Sequence, residues 1–106
     1  MSDKKRYYPV TEIAVKPVRL ASKPPRRYSV YLLNDDYTPM SFVVEVLQQF
    51  FNFDQYAANH LMMQVHQYGK AVCGVFTNDI AETKVIQVNS YARVNQYPLL
   101  CNMEEN

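Results

Sequence analysis

Residues 28–52 read YSVYLLNDDYTPMSFVVEVLQQFFN and hold a strand pattern, a turn and a helix pattern in direct succession. Tyr28–Leu33 is rich in aromatic and β-branched residues, which is typical of a β-strand. The following Asn34-Asp-Asp-Tyr-Thr-Pro39 has turn chemistry. Thr38 is the predicted N-cap of a helix with Pro39 at its first position. The apolar residues of this helix recur at helical spacing: Val43, Val46, Leu47 and Phe50.

The chain downstream predicts a second helix and a second strand. Asp54 is the predicted N-cap of the helix, and Gly69 stands where a helix commonly stops. Its apolar face carries Ala58, Leu61, Met62 and Val65. Residues 70–76, KAVCGVF, then read as a second strand.

The last part of the chain predicts a third helix and a short third strand. Thr77 or Asn78 caps the helix and Pro98 ends it, with a buried stripe of Ala81, Val85, Val88 and Ala92. Residues 98–103, PLLCNM, form the strand. The order β-α-α-β-α-β predicts an α+β fold in which a small three-stranded antiparallel sheet packs against three helices on one face.

Residues 1–27 differ from the rest of the chain in composition and charge. They carry eight basic and two acidic residues, a net charge of +6, whereas residues 28–106 carry three basic and eight acidic residues, a net charge of −5. Four prolines interrupt the first segment and no strand or helix period runs through it. We therefore predict a flexible basic N-terminal extension, residues 1–27, before one core domain, residues 28–106.

Several functional classes are disfavoured by composition. The basic start is not followed by an apolar signal segment, and no stretch approaches the ~20 apolar residues of a membrane helix. An overall charge of +1 and the lack of a dense basic run argue against a nucleic-acid partner. Cys73 and Cys101 lie within apolar runs and predict buried free thiols in a reducing, cytoplasmic location. His60 and His66 would point about 120° apart on a helix, so no metal or cofactor is expected.

Three features could carry chemistry, and each has a plain structural alternative. Asn34-Asp-Asp36 is either a turn that bonds its own backbone or a polar site after a strand. His66 is either a histidine at the edge of the core or a neutral imidazole with an acceptor nitrogen. The third feature is a methionine set that either fills the core or moulds around apolar ligands: Met40, Met62 and Met63.

Taken together, these features resemble the ClpS adaptor family over residues 28–103. The resemblance is carried by five segments: NDDYTPM at 34–40, LMMQVH at 61–66, GKAVCGVF at 69–76, AETKV at 81–85 and PLLC at 98–101. It implies an adaptor that binds destabilising N-terminal residues (Leu, Phe, Tyr and Trp) of substrate proteins. The adaptor would deliver them to the N-terminal domain of a ClpA-type AAA+ unfoldase for degradation by ClpP.

The resemblance also implies roles for individual residues. The implied site for the substrate α-amino group is Asn34, Asp35 and His66. The implied pocket for the first side chain is Leu32, Thr38, Met40, Val43, Met62, Val65 and Leu99. The implied contact with the unfoldase is Tyr37, Asp79, Glu82 and Lys84. The chemistry agrees, because an ammonium has three donors, which a carboxylate, an amide oxygen and a neutral ring nitrogen can accept.

Two other functional classes remain open from the residues alone. One is an interaction domain without a ligand pocket, since the predicted fold resembles the C-terminal domain of the ribosomal stalk protein. The other is an enzyme in which Asp35 or Asp36 and His66 act as acid and base. No nucleophile, metal set or phosphate-binding loop supports the enzyme, so a non-catalytic protein is expected.

Overall fold

The computed structural model describes residues 23–106, and its regular elements follow the predicted order. They are β1 (Tyr28–Leu33), α1 (Met40–Phe51), α2 (Gln55–Tyr68), β2 (Lys70–Phe76), α3 (Asn78–Val94) and β3 (Leu100–Glu105). Most of the predicted extension lies outside the described residues; of it, only residues 23–27 are described, and they belong to no helix or strand. Within residues 23–106, no helix is long and apolar enough to cross a membrane.

β1 is the central strand of a three-stranded antiparallel sheet with the order β2-β1-β3. Leu33, its last residue, is paired with Lys70 on one side and with Leu100 on the other. The residues that follow β1 and those that precede β2 therefore meet at the same end of the sheet. There the backbone N–H of Asn34 donates to the carbonyl of Gly69 over 3.0 Å.

The three helices cover one face of this sheet, as the sequence predicts. The core between the two layers is built from buried apolar side chains, including Val30, Leu32, Val46, Leu47, Ala58, Val65, Ala81, Val88, Ala92 and Cys101. The other face of the sheet exposes Val72 and Leu100. The alternation of buried and exposed residues, which is clearest along the first half of β2, follows from this one-sided packing.

The start of α1 differs from the sequence prediction. The helix begins at Met40, and the N-cap position is occupied by Pro39, whose side chain makes no capping hydrogen bond. The predicted cap, Thr38, donates its hydroxyl to the carboxylate of Asp35 over 2.8 Å. Thr38 as N-cap and Pro39 as the first helical residue are therefore wrong by one position. Hydrogen bonds to Asp35 hold Tyr37 and Thr38 in the loop, and α1 begins only after Pro39, whose carbonyl accepts the first helical bonds.

The ends of α2 are as predicted. The side chain of Asp54 accepts a hydrogen bond from the backbone N–H of Ala57, the usual N-cap contact. Gly69 closes the helix in the left-handed conformation with φ 85°, which glycine adopts without steric cost. Gly69 also places the end of α2 beside the loop that follows β1.

The last helix and strand have shifted boundaries. α3 ends at Val94, before Pro98, and the connection turns through Gln96 with a φ of 66°. β3 begins at Leu100, two residues later than predicted, and continues to Glu105. The helix stops at this tight turn, so the proline lies in the connection.

Candidate functional site

A cavity of about 350 Å³ lies at the end of the sheet where the loop after β1 faces α1 and α2. Its lining residues are Asn34, Asp35, Asp36, Tyr37, Thr38, Pro39, Met40, Val43, Met62, Val65 and His66. They come from three places: the loop at 34–39, the first turn of α1 and the second half of α2. The loop contributes most of the polar groups, whereas the two helices contribute the apolar ones and His66.

The apolar wall of the cavity continues the hydrophobic core. Val43 and Val65 are buried members of that core and also line the cavity. Met40 is 44% exposed, and Met62 is half-buried against the core. Two flexible, polarisable methionine side chains over a rigid valine floor suit apolar groups of varied shape.

The carboxylate of Asp35 organises the polar side of the cavity. Its Oδ1 accepts hydrogen bonds from the backbone N–H groups of Tyr37 and Thr38, over 2.8 and 2.7 Å. Its Oδ2 accepts the hydroxyl of Thr38 over 2.8 Å. The local sequence folds this way because an aspartate side chain readily bonds backbone groups two and three residues ahead. This carboxylate therefore holds the loop that carries it.

Three other polar side chains at the cavity are not engaged in this way. Asn34, Asp36 and His66 are exposed, and their side chains make no hydrogen bond or ion pair within residues 23–106. Together they offer an amide oxygen, a carboxylate and a ring nitrogen. Two aspartates line this cavity, and no lysine or arginine of the described chain does, so the rim favours a cation.

The structure brings most of the predicted site residues to this one cavity. All three predicted α-amino ligands line it, as do five predicted pocket residues: Thr38, Met40, Val43, Met62 and Val65. Leu32 and Leu99 do not. Leu32 has no exposed surface, and Leu99 lines a smaller cavity of about 210 Å³ beside the connection from α3 to β3.

The sequence prediction of this site leaves out Asp36. The sequence carries no signal that separates the two aspartates, because residues 34–39 have turn chemistry and the alternation of a strand does not extend through them. The folded loop separates them. Asp35 is the half-buried residue of the three, and its two neighbours are exposed.

The four residues expected at an unfoldase contact are divided between the cavity mouth and α3, and their surroundings differ. Tyr37 is 80% exposed at the cavity mouth, and Asp79 and Glu82 are exposed on the first turns of α3. Lys84 is half-buried, and its Nζ donates to the carbonyl of Phe50 over 2.7 Å. Three of the four predicted contacts are therefore on the surface, whereas the Lys84 ammonium is bound to the end of α1.

Cysteine chemistry is suppressed by burial. Burial raises the pKa of both thiols to about 12, and for Cys73 the nearby Cys101 adds to the rise. Such thiols stay protonated near neutral pH, and the thiolate is the form that attacks or ligates. Within residues 23–106, no group of three or more His, Cys, Asp or Glu side chains could hold a metal ion.

Comparison with known proteins identifies the family. The sequence model described as "ATP-dependent Clp protease adaptor protein ClpS" matches residues 23–102. The chain belongs to the ClpS family. An Enterobacter sp. (strain 638) ClpS adapter is 53% identical over 105 residues, covering 99% of each chain. An Escherichia coli O1:K1 / APEC ClpS adapter is 57% identical over 94 residues, covering 89% of each.

A solved ClpS structure has the same fold. Agrobacterium tumefaciens ClpS2, bound to L-phenylalaninamide, superposes with a TM-score of 0.76 at 39% identity, covering 77% of this chain and 99% of that one. The ClpS family assignment and the α+β fold expected from the sequence are thus confirmed. A ClpS-family member is an adaptor of a Clp protease by the description of the family.

Proposed function

We propose that the cavity binds the first residue of a substrate protein, with the α-amino group at the polar rim and the side chain against the apolar wall. One observation carries this: among the residues that the structure describes, the cavity is lined by two aspartates and no lysine or arginine, together with methionine and valine side chains. A free N-terminal residue has the matching pair of groups, an ammonium next to a side chain. The ClpS2 relative binds L-phenylalaninamide, which has both.

At the rim, the ammonium would donate to the amide oxygen of Asn34 and to a ring nitrogen of neutral His66. Asp36 would supply the opposite charge, whereas the carboxylate of Asp35 already accepts three hydrogen bonds from its own loop. We assign the direct contact to Asp36, because its carboxylate has no partner among the described residues. Each charge-assisted hydrogen bond contributes roughly 1.5–3 kcal/mol before the cost of desolvation.

The first side chain would lie on Thr38, Met40, Val43, Met62 and Val65. Burying a Leu or Phe side chain contributes about 1.5–3 kcal/mol, so micromolar binding of about −8 kcal/mol is within reach. We assign Leu32 and Leu99 to packing beneath this wall, because both are buried. Leu, Phe, Tyr and Trp are the proposed first residues.

The adaptor would deliver its cargo to the N-terminal domain of a ClpA-type unfoldase and would not act as an enzyme. Tyr37, Asp79 and Glu82 are exposed and available for that contact. The ammonium of Lys84 has three donors, and one is used within the chain, so it keeps capacity for a partner. The free thiols Cys73 and Cys101 are in keeping with a cytoplasmic location, because a reducing compartment keeps cysteines unpaired.

A reconstituted degradation assay tests this function. A reporter beginning with Phe is incubated with ClpA, ClpP and ATP, with or without this chain, beside a reporter that differs only in beginning with Met. We expect the chain to accelerate degradation of the Phe reporter alone, and Asn34→Ala to abolish the acceleration. Equal degradation of both reporters, or no effect of the chain on either, would refute the proposed function.

A further inference from the structure

The loop at 34–38 contains three consecutive polar side chains, and only the middle one, Asp35, hydrogen-bonds to another group of residues 23–106. Asp35 accepts three hydrogen bonds: two on Oδ1 from the N–H groups of Tyr37 and Thr38, and one on Oδ2 from the Thr38 hydroxyl. A carboxylate has about four acceptor positions, so little capacity remains for a ligand.

These bonds fix the direction of the neighbouring side chains. The backbone N–H of Asn34 is anchored to Gly69, and the carboxylate of Asp35 ties the far side of the loop at Tyr37 and Thr38. The loop is thus held at both ends. Asn34 lies at the first anchor and Asp36 between the two, and both side chains are exposed at the cavity.

We propose that Asp35 is a positioning residue: it acts through the loop, with the Thr38 hydroxyl as its partner, and sets where Asn34 and Asp36 stand. This inference rests on the proposed function. Binding groups must stand close to their productive geometry, and loops hold such geometry less well than helices or strands unless they are braced. Asp35 holds the loop through its capacity to accept hydrogen bonds and not through its negative charge.

A positioning role predicts different affinities for Asp35→Asn and Asp35→Ala, whereas a counter-charge role predicts the same loss for both. In Asp35→Asn, the amide oxygen still accepts both backbone N–H groups, and the amide nitrogen can donate to the Thr38 hydroxyl, which also accepts. In Asp35→Ala, all three donors lose their acceptor. If Asp35 served as the counter-charge of the ammonium, both variants would lose it alike.

The experiment measures the affinity of the full chain for L-phenylalaninamide by calorimetry, in wild type and in Asp35→Ala, Asp35→Asn, Asp36→Asn and Thr38→Val. We expect Asp35→Ala to weaken binding by about tenfold or more, and Asp35→Asn to recover most of that loss, to within about threefold of wild type. Asp36→Asn, which changes the charge equally and keeps the shape, should weaken binding by about tenfold or more.

Two further readouts exclude a merely structural effect. Thr38→Val should weaken binding in the wild-type background and have no added effect in Asp35→Ala, since its partner is already missing. Amide exchange at Tyr37 and Thr38 should be slow in wild type and Asp35→Asn and fast in Asp35→Ala, at temperatures well below unfolding.

The inference is overturned if Asp35→Asn binds as weakly as Asp35→Ala, which would make the charge decisive. It is also overturned if Asp35→Ala binds like wild type. A wild-type chain that fails to bind L-phenylalaninamide would instead refute the proposed function, and the loop inference would fall with it. The two failures are thus told apart by the wild-type titration.

Discussion

Replacing Lys84 with methionine should destabilise the domain strongly, although Lys84 is a lysine that is only half-buried. Its Nζ lies 2.7 Å from the carbonyl oxygen of Phe50 and 5.8 and 5.9 Å from the ring centroids of Phe51 and Phe76. Phe50 is in the last turn of α1, where carbonyls lack partners within the helix. The methionine keeps most of the apolar stem, so the substitution removes the ammonium and little else.

The magnitude follows from the contacts. A hydrogen bond from a charged donor contributes about 1.5–3 kcal/mol, and a cation at a helix C-terminus about 0.3–1 kcal/mol. We therefore expect Lys84→Met to lower the free energy of unfolding by about 2 kcal/mol, which for a domain of this size lowers Tm by roughly 8–16 °C. Urea and thermal unfolding followed by circular dichroism would measure both.

Lys70→Met is the matched control. Lys70 pairs with Glu104 over 3.7 Å and lies 4.2 Å from the ring centroid of Tyr31, but its side chain is 43% exposed. Such a surface pair contributes at most about 1 kcal/mol. If Lys84→Met unfolds like Lys70→Met, the reasoning about the α1 terminus is wrong. If Lys84→Met loses much more stability than Lys70→Met, a defect of any Lys84 variant in delivering substrate must be corrected for the fraction of unfolded chain.

Three other perturbations have defined outcomes. Met40→Ala should admit peptides beginning with Ile or Val while keeping Leu and Phe, because Met40 lines the cavity and a smaller side chain there would leave room for a second branch at Cβ. An unchanged ranking in a peptide titration would make Met40 a core residue only. Cys73 and Cys101 should resist a thiol reagent at about pH 8 until urea unfolds the chain. Folding raises the pKa of both thiols, so the unfolded chain loses these protons first and the free energy of unfolding should fall as the pH rises from 9.0 toward about 12. A free energy of unfolding that rises over this range would contradict the burial of the two thiols. Deleting residues 1–20 should leave L-phenylalaninamide affinity unchanged, because the lining residues lie between 34 and 66; lost binding would place the N-terminal extension in the site.

The features that could be predicted from sequence are those set by local pattern. The apolar period of α1, the Asp54 cap and the Gly69 stop each depend on residues a few positions apart, so element order and fold class follow from them. The polar residues at 34–36 and His66 could also be identified as candidate site residues, because their side chains offer hydrogen-bond acceptors next to apolar segments. The motifs that resemble ClpS lie in these same segments.

The contacts that individual side chains make could not be predicted, because they depend on the folded backbone and not on residue type alone. Thr38 is a suitable N-cap by residue type, and only the folded loop shows that α1 begins one residue later and that the Thr38 hydroxyl donates to Asp35. Asp35 and Asp36 have the same side chain and differ only in the direction in which the folded backbone points it. Lys84 is a surface residue by type, and its inward contact with α1 links segments far apart in the chain.

The most direct test of the central claim compares L-phenylalaninamide with its N-acetylated twin in a calorimetric titration of the full chain. The two ligands share the aromatic side chain and differ in the ammonium that the Asn34, Asp36 and His66 rim is proposed to accept. We predict binding near micromolar for the free amine, about −8 kcal/mol, and a loss of roughly 100-fold or more on acetylation. Equal affinity for the two would contradict recognition of a free N-terminus by this cavity.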